Sequence, residues 1–301
     1  MAIEKLEQDW GKYPVIRIDF SGDNYEFEEN LSSKFNIILK NLENKYGSNK
    51  TDNLSFAGRL EQVIISAYEQ TDKKVVVLVD EYDKPILDAL YQPHEEKNRG
   101  MLHGFYSVLK NCDQYLKFIF LTGITRVPQL NIFSGLNQLE DISMSEEYSC
   151  LCGITENEML SYFDDRIQEM AKRNEMTKDE CISKLKSMYD GYHFSSESQD
   201  IYNPFSLLNA FKQKAFNSFW FESGTPTSLV KMLNKQTGDI SKFIDEVSVV
   251  RESFNNFEAS EKGFLSMIYQ SGYLTIKSYD KKYESYTLGI PNKEVRVGLS
   301  E

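Results

Sequence analysis

The chain has 301 residues, with 34 lysines and arginines against 46 aspartates and glutamates, so its formal net charge is −12. With 41% hydrophobic and 13% aromatic residues it can build a core, which excludes an intrinsically disordered chain. The acidic balance argues against non-specific nucleic-acid binding, because neutralising phosphates requires a basic face. At about 100–200 residues per domain, the length predicts two domains, or one large domain with an appendage.

The N-terminal half alternates strands and helices. A β-branched and aromatic run, Val15–Phe20, predicts the first strand. Apolar residues then recur at helical spacing over residues 31–42 and again over residues 60–68. This spacing predicts two helices, of which the first ends near Gly47.

A second strand is predicted at Val75–Val79, where five apolar residues follow one another between charged neighbours. Such a continuous run is typical of a central strand that is buried on both faces of a parallel sheet. A helix predicted over residues 95–111 leads to a third strand, Phe118–Leu121. The strand–helix–strand rhythm indicates a doubly wound α/β domain with a mostly parallel sheet.

The pattern becomes helical after about residue 141. Helices are predicted over residues 156–173, 178–189, 205–215 and 227–233. Thr155 and Glu158 form a capping box at the start of the first of them. Near the C-terminus, Gly272–Lys277 and Tyr286–Leu288 predict two short strands of a hairpin. We therefore expect one domain over residues 1–150 and a second over residues 151–301.

No export or membrane segment is predicted. The N-terminal residues are charged and lack an apolar core, and the apolar runs are far shorter than the ~20 residues of a membrane-spanning helix. The cysteines and histidines do not have the spacing of a structural zinc site. We expect a soluble cytoplasmic protein whose thiols stay reduced.

The motif with the clearest chemistry is the strand Val75–Val79 followed by Asp80 and Glu81. An apolar strand that ends in two carboxylates has the form of a Walker B element of P-loop NTPases. In that arrangement Asp80 would hold hydrated Mg²⁺ at the carboxyl edge of the sheet, and Glu81 would polarise the attacking water. The alternative is a buried strand that simply exits into acidic residues at the surface.

The next strand ends in Thr122 and is soon followed by Arg126. A polar residue beside the Walker B strand can sense the γ-phosphate, and a nearby arginine can stabilise charge in the transition state. We assign these two roles to Thr122 and Arg126. For Arg126 the competing interpretation is a solvated side chain after a glycine turn.

The sequence contains no phosphate loop of the form G-x4-G-K-[S/T]. The nearest candidate, Gly47–Thr51, has Asn44 and Asn49 where the pattern requires glycines, and it follows a predicted helix instead of a strand. Without that backbone cradle, nucleotide binding and phosphoryl transfer both lose their main electrostatic support.

Eight runs along the chain carry a further signal: Val79–Ile86, Leu121–Arg126, Ile132–Asn137, Leu151–Thr155, Tyr189–Phe194, Tyr202–Phe205, Gly224–Thr227 and Ile290–Val295. Together they resemble the AAA-ATPase-like proteins of bacteria, and the resemblance covers nearly the whole chain. The resemblance implies a P-loop ATPase core that uses ATP and Mg²⁺, followed by a helical and winged-helix-like region. A nuclease-like domain of the PD-(D/E)XK type often follows in that family.

This chain departs from the family because the phosphate loop would precede the stretch that matches Asp9–Phe20. We therefore expect a fragment or remnant that carries the Walker B and sensor half of the ATPase and is inactive alone. One alternative is a non-catalytic module that binds a protein partner or a second copy. Another is a metal-dependent nuclease built on Glu81, Asp83 and Lys84, with Asp19 as a further acid.

Overall fold

The computed structural model describes residues 5–7, 10–47, 53–124, 132, 136, 138–222, 231, 246–250 and 261–299. The chain forms two compact units, Met1–Glu140 and Asp141–Glu301. Within the described part, no helix combines the length and the apolar character needed to cross a membrane. The predicted helix over residues 227–233 lies outside the described residues, apart from position 231.

Unit 1 alternates strands and helices, as the sequence predicts. Its elements are β1 (Val15–Asp19), α1 (Asn30–Tyr46), α2 (Phe56–Thr71), β2 (Val75–Asp80), α3 (Lys84–Leu87), α4 (Glu95–Asn111) and β3 (Leu116–Leu121). The first helix ends where Gly47 takes a left-handed conformation with φ of 64°. The second begins at Ser55, whose side chain accepts a hydrogen bond from the amide of Gly58.

The sheet of unit 1 has the strand order β1-β2-β3, and both pairs are parallel. Alternate residues of each strand face the core that they share with α1, α2 and α4; among them are Ile16, Ile18, Val77 and Val79. The prediction that β2 is buried on both faces is wrong. Residues Val76 and Leu78 are only half-buried, because the described helices pack against the opposite face.

Unit 2 begins with four helices: α5 (Glu156–Tyr162), α6 (Asp164–Arg173), α7 (Lys178–Tyr189) and α8 (Pro204–Gln213). The single helix predicted over residues 156–173 is interrupted at Phe163. Asp164 and Asp165 supply the negative charge that favours a new helix N-terminus there. The capping box of Thr155 and Glu158 is confirmed, with both reciprocal hydrogen bonds present.

The rest of unit 2 contains an antiparallel sheet and short helices. The elements are α9 (Phe219–Glu222), β4 (Val247–Val250), α10 (Glu261–Gln270), β5 (Thr275–Asp280), β6 (Ser285–Gly289) and α11 (Lys293–Gly298). The predicted hairpin is confirmed, because β5 and β6 pair in antiparallel register. The strand β4 joins the other edge of β6 and completes the order β4-β6-β5.

The helices and the C-terminal segment of unit 2 meet just after α7. Asn292 donates a hydrogen bond of 2.9 Å from its side-chain amide to the carbonyl of Asp190, 102 positions earlier in the chain. Gly191 has φ of 91°, and a side chain there would collide with the carbonyl oxygen of Pro291. Only glycine combines this conformation with so close an approach. The runs Tyr189–Phe194 and Ile290–Val295, which both resemble the bacterial family, therefore pack against each other.

Candidate functional site

The candidate site lies at the carboxyl edge of the parallel sheet, where all three strands end. Asp19, the last residue of β1, is the register partner of Asp80, the last residue of β2. Thr122 immediately follows β3, whose Leu121 pairs with Val79. Ligands of open parallel sheets bind outside the carboxyl ends of the strands. Parallel pairing thus brings the polar residues that follow each strand to one edge.

Asp80 and Thr122 are in direct contact. The hydroxyl of Thr122 donates a hydrogen bond of 2.7 Å to Oδ1 of Asp80. The backbone amide of Thr122 donates to the carbonyl of Val79 at 2.8 Å, which continues the β2–β3 pairing by one residue and fixes the direction of the side chain. The side chain of Asp80 is 50% exposed, so its carboxylate remains accessible to a ligand.

Arg17 reaches the second oxygen of Asp80 from β1. Its Nη2 lies 3.6 Å from Oδ2 of Asp80 and 3.1 Å from Oδ2 of Asp19. Asp19 also accepts hydrogen bonds from the amide and the hydroxyl of Ser21. The hydroxyl of Ser21, more than any other contact, lowers the pKa of the Asp19 carboxyl and keeps it ionised. Because Arg17 is 65% exposed, its ion pairs are screened by solvent and contribute little to stability.

Glu81 follows β2 in an unusual conformation. Its φ is 52°, in the left-handed region, which is costly for a residue other than glycine. Partial burial raises the pKa of its carboxyl, and the negative charges of Asp80 and Asp83 raise it further, while Lys84 opposes them. A carboxylate with a raised pKa is a better acceptor for the proton of an attacking water.

Asp83 lies in the turn between β2 and α3, next to the candidate site. The side chain of Asp83 is fully buried, and its Oδ1 accepts a hydrogen bond of 3.3 Å from the amide of Ile124. The apolar residues on both sides of the Asp-Lys-Pro sequence, Tyr82 and Ile86, are also buried. Their pattern was the available signal that this turn lies inward.

The residues present fit a hydrated Mg²⁺. Mg²⁺ prefers oxygen ligands and is usually held by one or two carboxylates together with waters and substrate phosphates. Asp80 offers an accessible carboxylate, and Thr122 offers a hydroxyl beside it. Across the residues that the structure describes, no group of three or more His, Cys, Asp and Glu side chains could hold a metal ion. Asp19 is the register partner of Asp80 at this edge.

Of the residues predicted from the sequence, Asp80, Glu81 and Thr122 come together at this edge. Arg126 lies outside the described residues.

Two comparisons with known proteins bear on this site. Residues 1–133 match the family model described as "Predicted AAA-ATPase". The chain is also 34% identical over 297 residues to a protein of Azotobacter chroococcum mcd 1 described as "Uncharacterized protein in vnfD 5'region". That alignment covers 97% of this chain and 55% of the relative, so the chain spans about half the relative's length. The matched residues 1–133 include β1, β2, β3 and the polar edge, and this part of the chain is therefore similar to the AAA-ATPase-like family.

Proposed function

We propose that unit 1 carries the Walker B and sensor half of a module that binds and hydrolyses ATP with Mg²⁺. The observation that carries this proposal is the 2.7 Å hydrogen bond between Thr122 and Asp80, next to Glu81 at the carboxyl edge of the sheet. Phosphoryl-transfer chemistry uses three kinds of group at that edge. The accessible carboxylate of Asp80, the Glu81 carboxyl with its raised pKa and the hydroxyl of Thr122 supply them.

Each residue has a proposed role. Asp80 holds the hydration shell of Mg²⁺, and Glu81 accepts a proton from the attacking water. Thr122 senses the γ-phosphate, and its hydroxyl is held in place by the hydrogen bond to Asp80. Arg126 stabilises the charge that develops on the phosphate; this role rests on the family resemblance alone. When bound, Mg²⁺ would neutralise the negative charge of the phosphates.

The second half of the chain is proposed as a helical lid followed by a winged-helix-like region. Four helices followed by the three-stranded sheet β4-β6-β5 and the short helix α11 support this assignment. We place the domain boundary near residue 150. The four free cysteines favour a cytoplasmic location.

These 301 residues are not expected to turn over ATP by themselves, because their sequence contains no phosphate loop. Binding is therefore tested by a method that detects weak contacts. Mn²⁺·ATP added to the isotope-labelled chain should broaden the amide signals of residues 80–83 and 122–124, whereas diamagnetic Mg²⁺·ATP should not. Asp80→Asn should abolish the effect, and the exposed control Asp179→Asn should keep it. Uniform broadening, or none at these residues, would contradict the proposal.

A non-catalytic interaction module is the second candidate, and one observation favours it. On the sheet face opposite the helices, Phe118 is 55% exposed, and its ring stacks on that of Phe120 with centroids 6.1 Å apart. Their register partners Val76 and Leu78 are half-buried. An apolar face of this kind is typical of a surface that another protein covers. Self-association of the chain together with no response to Mn²⁺·ATP would support this candidate.

A further inference from the structure

Three hydrogen bonds join the loops that follow β2 and β3. The hydroxyl of Thr122 donates to Asp80, as described above. The amide of Tyr82 donates to the carbonyl of Thr122 at 2.9 Å. In the third contact, the amide of Ile124 donates to Oδ1 of the fully buried Asp83. The segment 122–124 is therefore held against residues 80–83 from the accessible edge down to the interior.

Gly123 allows the two loops to approach this closely. A Cβ atom at position 123 would lie 2.5 Å from Oδ1 of Asp83 and 2.7 Å from Cε1 of Tyr82. Both distances are far below a van der Waals contact between carbon and its neighbours. Any side chain at this position would push residues 122–124 away from the buried carboxylate.

A polar side chain is costly to bury unless its atoms are hydrogen-bonded. The hydrogen bond from the amide of Ile124 satisfies Oδ1 of Asp83 and makes this buried oxygen an anchor for the loop that follows β3. Asp80 and Glu81 precede Asp83 by three and two positions in the chain, and Thr122 is the first residue of the segment 122–124 that Asp83 contacts.

We infer that Asp83, together with Gly123, is a positioning residue for the nucleotide edge. Asp83 holds the 122–124 segment at the distance at which the hydroxyl of Thr122 meets Asp80. A displacement of about 1 Å is enough to disrupt such geometry and to reduce its effect strongly. This inference rests on the proposed binding of Mg²⁺·ATP at the same edge.

The test compares Asp83→Ala, Asp83→Asn and Gly123→Ala in the full chain, with Val63→Ala as a control. Val63 is fully buried in α2 and lies outside the site, so its truncation destabilises unit 1 without touching the loops. Asp83→Ala and Gly123→Ala should weaken the Mn²⁺·ATP response at Thr122 about tenfold, the loss typical of one buried hydrogen-bond partner. Asp83→Asn keeps an acceptor oxygen and should restore most of it, while Val63→Ala should bind as the parent chain does.

A second measurement keeps the inference separate from the proposed function. Amide hydrogen exchange at Tyr82 reports whether the loops remain together, because that amide donates to Thr122 and not to Asp83. Asp83→Ala should accelerate exchange at Tyr82 more than Val63→Ala does. If the parent chain shows no Mn²⁺·ATP response, the proposed function fails and the exchange data still decide whether Asp83 positions the loop. Equal exchange in the two variants, or an unweakened nucleotide response in Asp83→Ala, would overturn the inference.

Discussion

The hydroxyl of Thr122 lies 2.7 Å from Oδ1 of Asp80, although 42 positions separate the two residues in the chain. The contact arises because β2 and β3 are parallel neighbours, so that the residues after each strand meet at one edge. It links the residue proposed to hold the metal ion to the residue proposed to sense the phosphate. A substitution at either residue should therefore alter the position of the other side chain.

The first prediction concerns this hydrogen bond. Thr122→Val keeps the shape of the side chain and removes the hydroxyl, so the affinity for Mn²⁺·ATP should fall about fivefold to tenfold. Thr122→Ser keeps the hydroxyl and should bind nearly as well as the parent chain. The measurement is the dependence of signal broadening at residues 80–83 on Mn²⁺·ATP concentration. Equal affinities for the valine and serine variants would show that the hydroxyl has no role in binding.

The second prediction concerns the left-handed backbone of Glu81. Because φ is 52° at this residue, the Ala and Gly variants should differ in stability although both lack the carboxylate. Glycine accepts this conformation without strain, so Glu81→Gly should be more stable than Glu81→Ala by about 1 kcal/mol. Urea denaturation followed by circular dichroism measures the difference. An alanine variant as stable as the glycine variant would mean that the backbone relaxes at no cost.

The third prediction is a dependence of stability on pH that comes from Asp190. This residue is 4% exposed, and burial raises the pKa of its carboxyl above the ordinary value of 3.8. In the window between the unfolded and the folded pKa, the folded state binds more protons, so stability falls as the pH rises through that window. Asp190→Asn has no titrating carboxyl at this position, so it should not lose stability in that pH window.

The stability advantage of Asp190→Asn over the parent chain should therefore grow as the pH rises from 3.8 and become constant above the folded pKa. Urea denaturation at a series of pH values tests this. Other carboxyl groups in unit 2, such as Glu180, have lowered pKa values, and they affect both proteins equally. Parallel stability curves for the two proteins would contradict the role assigned to Asp190.

The fourth prediction compares two glycines. Gly191→Ala should destabilise unit 2 by about 2 kcal/mol or more, because φ is positive and the new methyl group would collide with the carbonyl of Pro291. Gly100 lies within α4, and a Cβ there would meet nothing within 4 Å. Gly100→Ala should therefore stabilise the protein by about 0.5–1 kcal/mol. Thermal unfolding of both variants measures the two effects, and a shift of the same sign in both would contradict this account.

The sequence predicts much of unit 1 because its signals are local. The β-branched run at Val75–Val79 and the apolar spacing within α1 depend only on neighbouring residues, and both elements form where they are predicted. The meeting of Asp80 with Thr122 also follows from sequence once the two strands are taken as parallel neighbours. For the same reason the helix α7 has the predicted bounds, Lys178–Tyr189.

What the sequence does not predict depends on contacts between distant residues. The apolar neighbours of Asp83 indicate that its turn faces inward, but its contact with the loop at Gly123 depends on a distant segment that no local pattern encodes. The half-buried state of Leu78 depends on where the helices pack and not on the strand itself. The strand β4 is short, and its position in the sheet depends on its pairing with β6.

The hydrogen bond from Asn292 to Asp190 has a consequence for folding during synthesis on the ribosome. The helix α7 ends at a junction that stays incomplete until residues 102 positions downstream have been synthesised. Contacts of such long sequence separation form late, because a large loop must close before they bring any gain. Until then the carbonyl of Asp190 and the apolar residues around it have no native partners from the C-terminal segment. Synthesis of the segment that contains Asn292, and not synthesis of the helices, is therefore the event that allows the junction after α7 to form.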